Sequence, residues 1–278
     1  MIRFDGRVAL VTGAGRGLGA AYAHEFARRG ATVVVHDAGV GRGGEGGDHS
    51  VADAVVEEIR ADGGNAIASY ENLESEEACV GLVEGAVAKL GRLDVLINNA
   101  GLVIYEEIEA ADRSWETLRR VGIDAPFHVS RAVFPVMKEH AYGRIVFTTS
   151  GIAMSAEDTR AGLVAYAAGK MAQFGLMVVF AAEGRPHGIL ANAISPVAAT
   201  RVYTQPYERG ELEPEQVAAG VVFLASEECT VGGVVLSAAG GSFGVRRWAR
   251  GEAVDFGQQP TAEMIAERWP EIDAQGRV

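Results

Sequence analysis

Tyr166 and Lys170 are the two residues whose types and spacing best suit chemistry. Residues four apart lie on one face of a helix, about one turn from each other. A free phenol has a pKa near ~10, and an ammonium group a few ångströms away favours the phenolate and lowers that pKa. Such a phenol can exchange a proton with an alcohol oxygen. A surface lysine beside a half-buried tyrosine has the same spacing, so the pair needs support from the rest of the chain.

A candidate catalytic hydroxyl lies upstream of this pair. Strand and helix patterns alternate along the chain, which predicts an α/β fold with a parallel sheet covered on both faces. Ligands of such sheets collect outside the carboxyl ends of the strands. Ser150 directly follows the predicted fifth strand, residues 144–149, so its hydroxyl could contact a substrate there. The alternative for this serine is an ordinary turn residue.

A glycine-rich turn joins the predicted first strand, residues 7–12, to the first helix. Glycines at this place let the chain turn sharply and let backbone N–H groups reach a pyrophosphate at the helix N-terminus. The turn therefore indicates a dinucleotide site. Its predicted cofactor-binding residues are Gly13, Arg16, Gly17, Leu18 and Gly19.

Asp37 stands at the end of the predicted second strand, residues 32–36. A carboxylate there can accept hydrogen bonds from the adenosine ribose and repel a 2′-phosphate, which favours NAD over NADP. A role as a helix or turn cap is the alternative. Arg16 and Arg42 favour NADP instead, because either side chain could contact a 2′-phosphate.

Other predicted strands also end in candidate binding residues. Glu71 and Asn72 follow the third strand, residues 65–69, where an adenine edge could bind. A long helical stretch at 115–139 is interrupted by Pro126 and Pro135. The helix with Tyr166 and Lys170 is expected to end near residue 182, and the remaining predicted strands are 95–97, 189–194 and 234–237.

Composition excludes several classes of protein. The chain has 278 residues, 48% of them hydrophobic, which is enough for one large domain with a buried core. A formal charge of −12 argues against nucleic acid and against an anionic membrane surface as partners. The six histidines show no metal-ligand spacing, so no metal is expected, and the two cysteines give no disulfide framework.

The location we expect is cytoplasmic. No signal peptide is expected, because residues 7–12 already have the pattern of a strand. No apolar run is judged long enough to span a membrane, and the longest candidate, residues 174–182, is interpreted as a core helix.

Five motifs follow one another along the chain: Thr12-Gly-x-x-x-Gly17-x-Gly19, Asn98-Asn99-Ala100-Gly101, Ser150, Tyr166-x-x-x-Lys170 and Ser195-Pro196. Taken together, they resemble the short-chain dehydrogenase/reductase family over roughly residues 5–242. The resemblance implies a single domain with a Rossmann-type, doubly wound parallel sheet, hydride transfer with a nicotinamide cofactor, and a homotetramer or homodimer.

The resemblance also implies roles for individual residues. Tyr166 would be the general acid/base, and Ser150 would bind and polarise the substrate oxygen. Lys170 would hold the nicotinamide ribose and lower the pKa of Tyr166. Thr200 would reach the carboxamide, and further cofactor contacts are implied for Asn99, Gly101 and Pro196.

A narrower resemblance is to the dehydrogenase domains of type 2 peroxisomal multifunctional enzymes, which oxidise (3R)-hydroxyacyl-CoA with NAD and have relatives that act on hydroxysteroids. His36-Asp37, the loop at 39–47, Tyr142-Gly143-Arg144 and the tail with Trp248 and Trp269 carry it. It implies a bulky apolar or acyl-thioester substrate.

Three positions depart from the family pattern. Gly122 stands where the family usually has an asparagine that supports a proton relay. Ser150 and Tyr166 are 16 residues apart rather than 13, which indicates an insertion within 156–162, and Pro196-Val197 replaces Pro-Gly. These changes motivate an alternative function, a nucleotide-binding sensor or scaffold that has lost catalysis.

Residues 242–278 follow the predicted dehydrogenase domain, residues 1–241, as a C-terminal extension. Many large apolar residues in this segment predict that it is ordered and packs on the same domain or on a neighbouring subunit. Thr261 is expected to cap a helix through Arg268, and Pro270 is expected to end it.

Overall fold

The structure is a computed structural model. It describes the chain apart from residues 201, 202, 204, 205, 209, 249, 250, 258 and 276–278 and the side chain of residue 275. The described part forms two compact units, residues 1–245 and 246–278.

The first unit is built on one eight-stranded sheet with the order β3-β2-β1-β4-β5-β6-β7-β8. Strands β1 to β7 pair in parallel, and the strand order reverses between β1 and β4. This doubly wound, Rossmann-type sheet confirms the predicted fold class. The strands are β1 (Val8–Thr12), β2 (Thr32–His36), β3 (Asn65–Ser69), β4 (Val95–Asn98), β5 (Gly143–Thr148), β6 (Ile189–Val197), β7 (Val235–Ala239) and β8 (Ser242–Arg246).

Helices cover both faces of the sheet because alternate strand residues point to opposite sides. Val11 and Val146 pack into one core, whereas Leu10 and Phe147 pack into the other. Helices α1, α2 and α7 contribute to the first core and α3, α5 and α6 to the second. The helices of this unit are α1 (Gly17–Arg28), α2 (Ser50–Ala61), α3 (Glu76–Leu90), α4 (Asp112–Arg119), α5 (Ala125–Glu139), α6 (Val164–Gly184) and α7 (Pro214–Ala225).

The long helical stretch is interrupted, but not by its prolines. A π-helical turn, Arg120–Asp124, separates α4 from α5. Pro126 lies in the first turn of α5, where a proline is tolerated, and Pro135 lies inside α5 without ending it. The prediction of two proline breaks was therefore wrong, and the irregularity lies at the π turn, which contains Gly122.

The carboxyl-terminal strands also differ from the prediction. Strand β6 continues through Pro196 to Val197 rather than stopping at residue 194. An eighth strand follows β7 after a turn of two glycines, Gly240 and Gly241, both with positive φ. A two-residue turn of this kind joins antiparallel strands, so β8 returns along β7.

Helix α6 departs from the expectation about apolar length. The segment Val164–His187 is long and apolar enough to cross a membrane, by length and composition alone. The prediction that no run reaches this length was wrong. Buried helices of sheet proteins have the same composition, and α6 packs its Gly169, Lys170 and Gln173 face into the molecule.

The second unit contains two short helices, α8 (Ala262–Glu267) and α9 (Trp269–Gln275). Thr261 caps α8 as predicted, with its hydroxyl accepting a hydrogen bond from Met264 N at 3.3 Å. Pro270 does not end a helix, because it lies in the first turn of α9. The packing expected for this extension stays a prediction.

Candidate active site

Helix α6 places Lys170 against the carboxyl end of β5. The Lys170 ammonium donates a hydrogen bond to Thr148 O at 2.7 Å, and Thr149 Oγ1 donates one to Lys170 O at 2.8 Å. Lys170 is buried, and burial lowers the pKa of its ammonium to about 8. A lysine held this way is a rigid donor at the strand end where ligands collect.

Tyr166 lies one turn before Lys170, and the Ser150 hydroxyl is close enough to the Tyr166 phenol to act on its pKa, so the three predicted catalytic residues meet at one place. Burial raises the pKa of the Tyr166 phenol, and the Ser150 hydroxyl opposes this only in part. The predicted lowering of the Tyr166 pKa by Lys170 is therefore wrong. The physical reason is geometric: Lys170 Nζ lies 5.7 Å from the ring centroid and donates to Thr148 instead.

The glycine-rich turn is packed so closely that side chains are excluded. A Cβ on Gly19 would lie 2.1 Å from Gly13 O, and a Cβ on Gly13 would lie 2.8 Å from Ala100 Cα. Arg16, at the start of α1, makes no capping hydrogen bond, and the first turn of α1 contains no acidic residue. The helix N-terminus therefore offers backbone N–H groups to an anion, which fits the pyrophosphate of a dinucleotide.

Asp37 is fixed next to this turn. Its carboxylate accepts hydrogen bonds from Gly15 N at 2.9 Å and Gly39 N at 2.8 Å. A carboxylate has about four acceptor positions, so capacity remains for ribose hydroxyls. The capping alternative and the ribose-binding prediction are thus compatible, because one carboxylate can do both.

The predicted adenine contacts have local partners. Glu71 accepts a hydrogen bond from Ser69 Oγ at 2.6 Å, and its backbone oxygen lies 2.8 Å from His36 Nε2. Asn72 is exposed and accepts a hydrogen bond from Glu74 N at 3.3 Å. Both residues lie just beyond β3, beside the end of β2, and their contact with adenine stays a prediction.

Asn99 and Thr12 tie together the ends of β1 and β4. The Asn99 side chain donates to Thr12 O at 3.0 Å and to Gly13 O at 3.1 Å, while Thr12 Oγ1 accepts hydrogen bonds from the backbone of Asn99 and Ala100. The Asn99 amide therefore holds the glycine turn in shape. Gly101 lies nearer the catalytic group, since a Cβ added there would be 3.7 Å from Lys170 Nζ.

The remaining predicted cofactor residues lie in the glycine turn, in β6 and in the segment after β6. Thr200 Cγ2 would lie 3.2 Å from a Cβ on Gly17, so the segment after β6 approaches the glycine turn. Pro196 is part of β6. Leu18 packs on the core, so only its backbone is placed to face a ligand, and Arg16 is exposed.

A pocket adjoins the catalytic residues. Leu102, Leu118 and Ala165 form apolar walls beside Tyr166 and Lys170 and line a small pocket that is partly open to solvent. Apolar walls next to a proton-transferring phenol suit an apolar substrate or the face of a nicotinamide ring.

Two residues near the site had no place in the sequence prediction. Tyr105 is half exposed and raises the pKa of Tyr166 electrostatically, and its neighbour Glu106 donates its backbone N–H to Gly162 O at 2.9 Å. No sequence signal pointed to it. Gln173, fully buried, had one available signal, a polar residue three positions after Lys170 on the same helix face.

Comparison with known proteins agrees with this architecture. The short chain dehydrogenase family model matches residues 7–209. Peroxisomal multifunctional enzyme type 2 of Mus musculus is 40% identical over 278 residues, covering 98% of this chain. The chain spans 37% of that enzyme's length.

Solved structures give the same result. The crystal structure of a short chain dehydrogenase from Mycobacterium avium has 35% identity and a TM-score of 0.86, covering 99% of this chain and 97% of that one. A metagenomic short-chain oxidoreductase in complex with NADP has 32% identity and a TM-score of 0.67, covering 80% of this chain and 91% of that one. The chain belongs to the short-chain dehydrogenase/reductase family, a family of oxidoreductases that use a nicotinamide cofactor.

Proposed function

We propose that this protein interconverts a secondary alcohol and a ketone with NAD as the cofactor, using Ser150, Tyr166 and Lys170 as catalytic residues. The observation that carries the proposal is the meeting of these three side chains at the carboxyl end of β5. The sensor or scaffold alternative is not favoured, because Gly122 and the longer loop leave that arrangement intact.

Each residue has a separate task in the proposed reaction. In the reductive direction the Tyr166 phenol gives its proton to the ketone oxygen, and in the oxidative direction the phenolate removes the proton of the alcohol. The Ser150 hydroxyl donates a hydrogen bond to the substrate oxygen and stabilises the charge that develops there. Lys170 would hold the nicotinamide ribose. The cofactor, when bound, supplies or accepts the hydride.

NAD rather than NADP is proposed on account of Asp37. The carboxylate is anchored by Gly15 and Gly39 beside the glycine turn, where a 2′-phosphate would meet its charge. Arg16 and Arg42 could oppose this preference, since both side chains are exposed and either could meet a phosphate. The NADP complex of the metagenomic neighbour makes the direct comparison of both cofactors necessary.

The substrate class we propose is a bulky apolar alcohol, with a 3-hydroxyacyl-CoA first and a hydroxysteroid second. The apolar pocket walls and the resemblance to (3R)-hydroxyacyl-CoA dehydrogenase domains support this order. We further propose a cytoplasmic homo-oligomer, a tetramer or dimer, in which residues 242–278 pack on their own domain or a neighbouring subunit.

The proposal is tested by a steady-state screen of the full chain with NAD and NADP. Substrates are 3-hydroxyacyl-CoA thioesters, hydroxysteroids and terpenoid alcohols, each with its matching ketone, and Tyr166→Phe serves as the control. Turnover with NAD that disappears in the control supports the proposal. Absence of turnover with both cofactors, in a folded protein that binds NADH, would favour the sensor alternative, and a preference for NADP would overturn the cofactor assignment.

A further inference from the structure

Gln173 is a buried amide beside the catalytic lysine that the proposed mechanism does not use. It lies on α6 three residues after Lys170, and only 1% of its surface is exposed. Its side-chain carbonyl accepts a hydrogen bond from Thr148 N at 3.2 Å, and its side-chain NH₂ donates one to Gly122 O at 3.2 Å. A buried amide is costly unless it is hydrogen-bonded, so these two partners define where it can sit.

The orientation of this amide follows from its partners. The backbone N–H of Thr148 can only donate, and the backbone carbonyl of Gly122 can only accept. The Gln173 oxygen must therefore face Thr148 and its nitrogen must face Gly122. Reversal of the amide would oppose donor to donor and acceptor to acceptor, so the side chain connects β5 to the π turn in one way only.

Thr148 is the point at which Gln173 and Lys170 act on the same residue. The last registered pair between β4 and β5 is Asn98 with Phe147, so Thr148 lies one residue beyond it. The two backbone groups of Thr148 are taken by side chains of α6 instead: Gln173 accepts from its N–H, and Lys170 donates to its C=O. A substitution of Gln173 is therefore expected to shift the Thr148 backbone, whose carbonyl accepts the hydrogen bond from Lys170.

Gly122 is the second point at which Gln173 acts. It lies in the π turn between α4 and α5 and packs directly on α6, because a Cβ on either Gly122 or Gly169 would be 3.5 Å from the Cα of the other. Gly122 has no side chain with which to fix this contact. The hydrogen bond from Gln173 is the polar link between the π turn and the catalytic helix at this crossing.

We propose that Gln173 is a positioning residue of the active site, which holds the Thr148 backbone and the π turn in register and thereby fixes Lys170 relative to Tyr166. This inference rests on the proposed function, because it takes Lys170 as the group that contacts the cofactor. It adds a residue that touches neither substrate nor cofactor.

The test compares three variants of the full chain. Gln173→Met keeps the side-chain length and removes both hydrogen bonds. Gln173→Glu keeps the acceptor for Thr148 but, when ionised, cannot donate to Gly122. Met177→Ala is the control, because Met177 is fully buried on the same helix and belongs to the apolar core. The measurements are kcat, KM, the dissociation constant of NADH from pH 6 to 10, and Tm.

Gln173→Met is expected to lower kcat by about tenfold to a hundredfold, as small misplacements of catalytic groups do, with little change in substrate KM. The same variant should bind NADH more weakly, and the pH at which NADH affinity declines should differ from that of wild type. Gln173→Glu should move that pH upward, because a carboxylate near Lys170 favours the ammonium. Met177→Ala should lower Tm without either change.

Wild-type kcat and an unmoved NADH pH profile in Gln173→Met would overturn the positioning role. The same changes in Met177→Ala would also overturn it, since general loosening would then explain them. If Gln173→Met does not fold, Gln173→Glu decides by its pH profile alone. Failure of the proposed function looks different, because the wild-type enzyme itself would then show no alcohol or ketone turnover.

Discussion

Buried charged side chains occur at both ends of the sheet, but their hydrogen-bonding and ion-pair partners differ. At the amino ends, the Asp94 carboxylate is 1% exposed and pairs with Arg92 at 2.6 Å and with Arg7 at 3.0 Å. It also accepts a hydrogen bond from Val8 N at 2.9 Å. At the carboxyl ends, Lys170 donates to a backbone carbonyl, and no carboxylate in the described part of the chain forms an ion pair with it.

The pKa values follow this difference. Burial alone would raise the pKa of Asp94, but hydrogen bonds from Arg92, Val8 and Arg7 outweigh it and hold that pKa below its ordinary value. For Lys170 nothing offsets burial, so its pKa falls to about 8. Removal of one partner from a paired buried charge leaves the other charge uncompensated, whereas a buried charge without an opposite charge itself costs stability and stays available for a ligand.

Tyr166→Phe is expected to show the largest difference between the two ends of the sheet, because it should affect the rate and not the stability. Removal of the proton-transferring oxygen should lower kcat at least a hundredfold, because general acid–base catalysis contributes typically ~10²–10⁴-fold. NADH affinity and Tm should stay near wild type. Steady-state kinetics and NADH fluorescence measure both. More than about one hundredth of the wild-type rate in the variant would remove Tyr166 from the proton-transfer role.

Asp94→Asn should do the opposite, with a loss of stability and no loss of rate. Arg92 would then lack its carboxylate and Arg7 would keep only Glu227. We expect the free energy of unfolding to fall by about 3 kcal/mol, the low end for a broken buried ion pair, because both arginines are partly exposed. Urea unfolding measures it, and Glu227→Gln is the control, because Glu227 pairs with the same Arg7 but is 71% exposed. An equal effect in both variants would contradict the comparison.

Asp94 also predicts a direction for acid unfolding. Because its folded pKa lies below the unfolded value, the stabilisation is present above the unfolded pKa of ~3.9 and is lost as pH falls through the folded pKa. Wild type and Asp94→Asn should therefore converge in stability at the acid end of a pH series. A constant difference down to pH 2 would argue against this assignment.

Lys170→Met should abolish turnover yet raise stability at pH 7. A folded pKa of about 8 against an unfolded value of ~10.4 means that the buried ammonium opposes folding at neutral pH. Allowing for the lost hydrogen bond to Thr148, we expect a gain of about 1–2 kcal/mol that disappears as pH rises towards ~10. A variant that is less stable than wild type at pH 7 would show that Lys170 holds the fold together.

Asp37→Ala tests the dinucleotide side of the site and has the smallest expected effect. Loss of the charge should lower the ratio of kcat/KM for NAD over NADP by about tenfold, since two charges near ~4 Å apart interact by up to ~4 kcal/mol at an effective dielectric of 20. Asp48→Asn changes an exposed acid of the same loop and is the control. An unchanged ratio would assign cofactor choice to another residue.

The sequence was sufficient to predict which strand ends bring the candidate site residues together. Ser150 and Asp37 follow predicted strands, and parallel strands bring their carboxyl ends to one edge, so their placement followed from the order of the segments. The structure confirms the doubly wound sheet. The roles of the individual residues stay predictions until the variants are measured.

What the sequence could not supply depends on contacts between distant segments. The direction of the Tyr166 pKa needs the burial of the ring and the 5.7 Å separation of its centroid from Lys170 Nζ. The π turn around Gly122 has no sequence pattern of its own. The predicted interruption of the helical stretch was therefore assigned to the nearby prolines, which was wrong. The role proposed for Gln173 depends on its contact with Gly122, which is 51 positions away in the sequence.

Strand β8 has a practical consequence for shortened versions of this protein. Val235 and Ala238 of the neighbouring β7 are buried, and β8 supplies the backbone partners along one side of that strand. A chain cut after Gly241 would leave β7 as a bare edge, the kind of surface on which proteins aggregate. A chain cut after Arg246 would keep the hairpin whole and the edge of β7 covered.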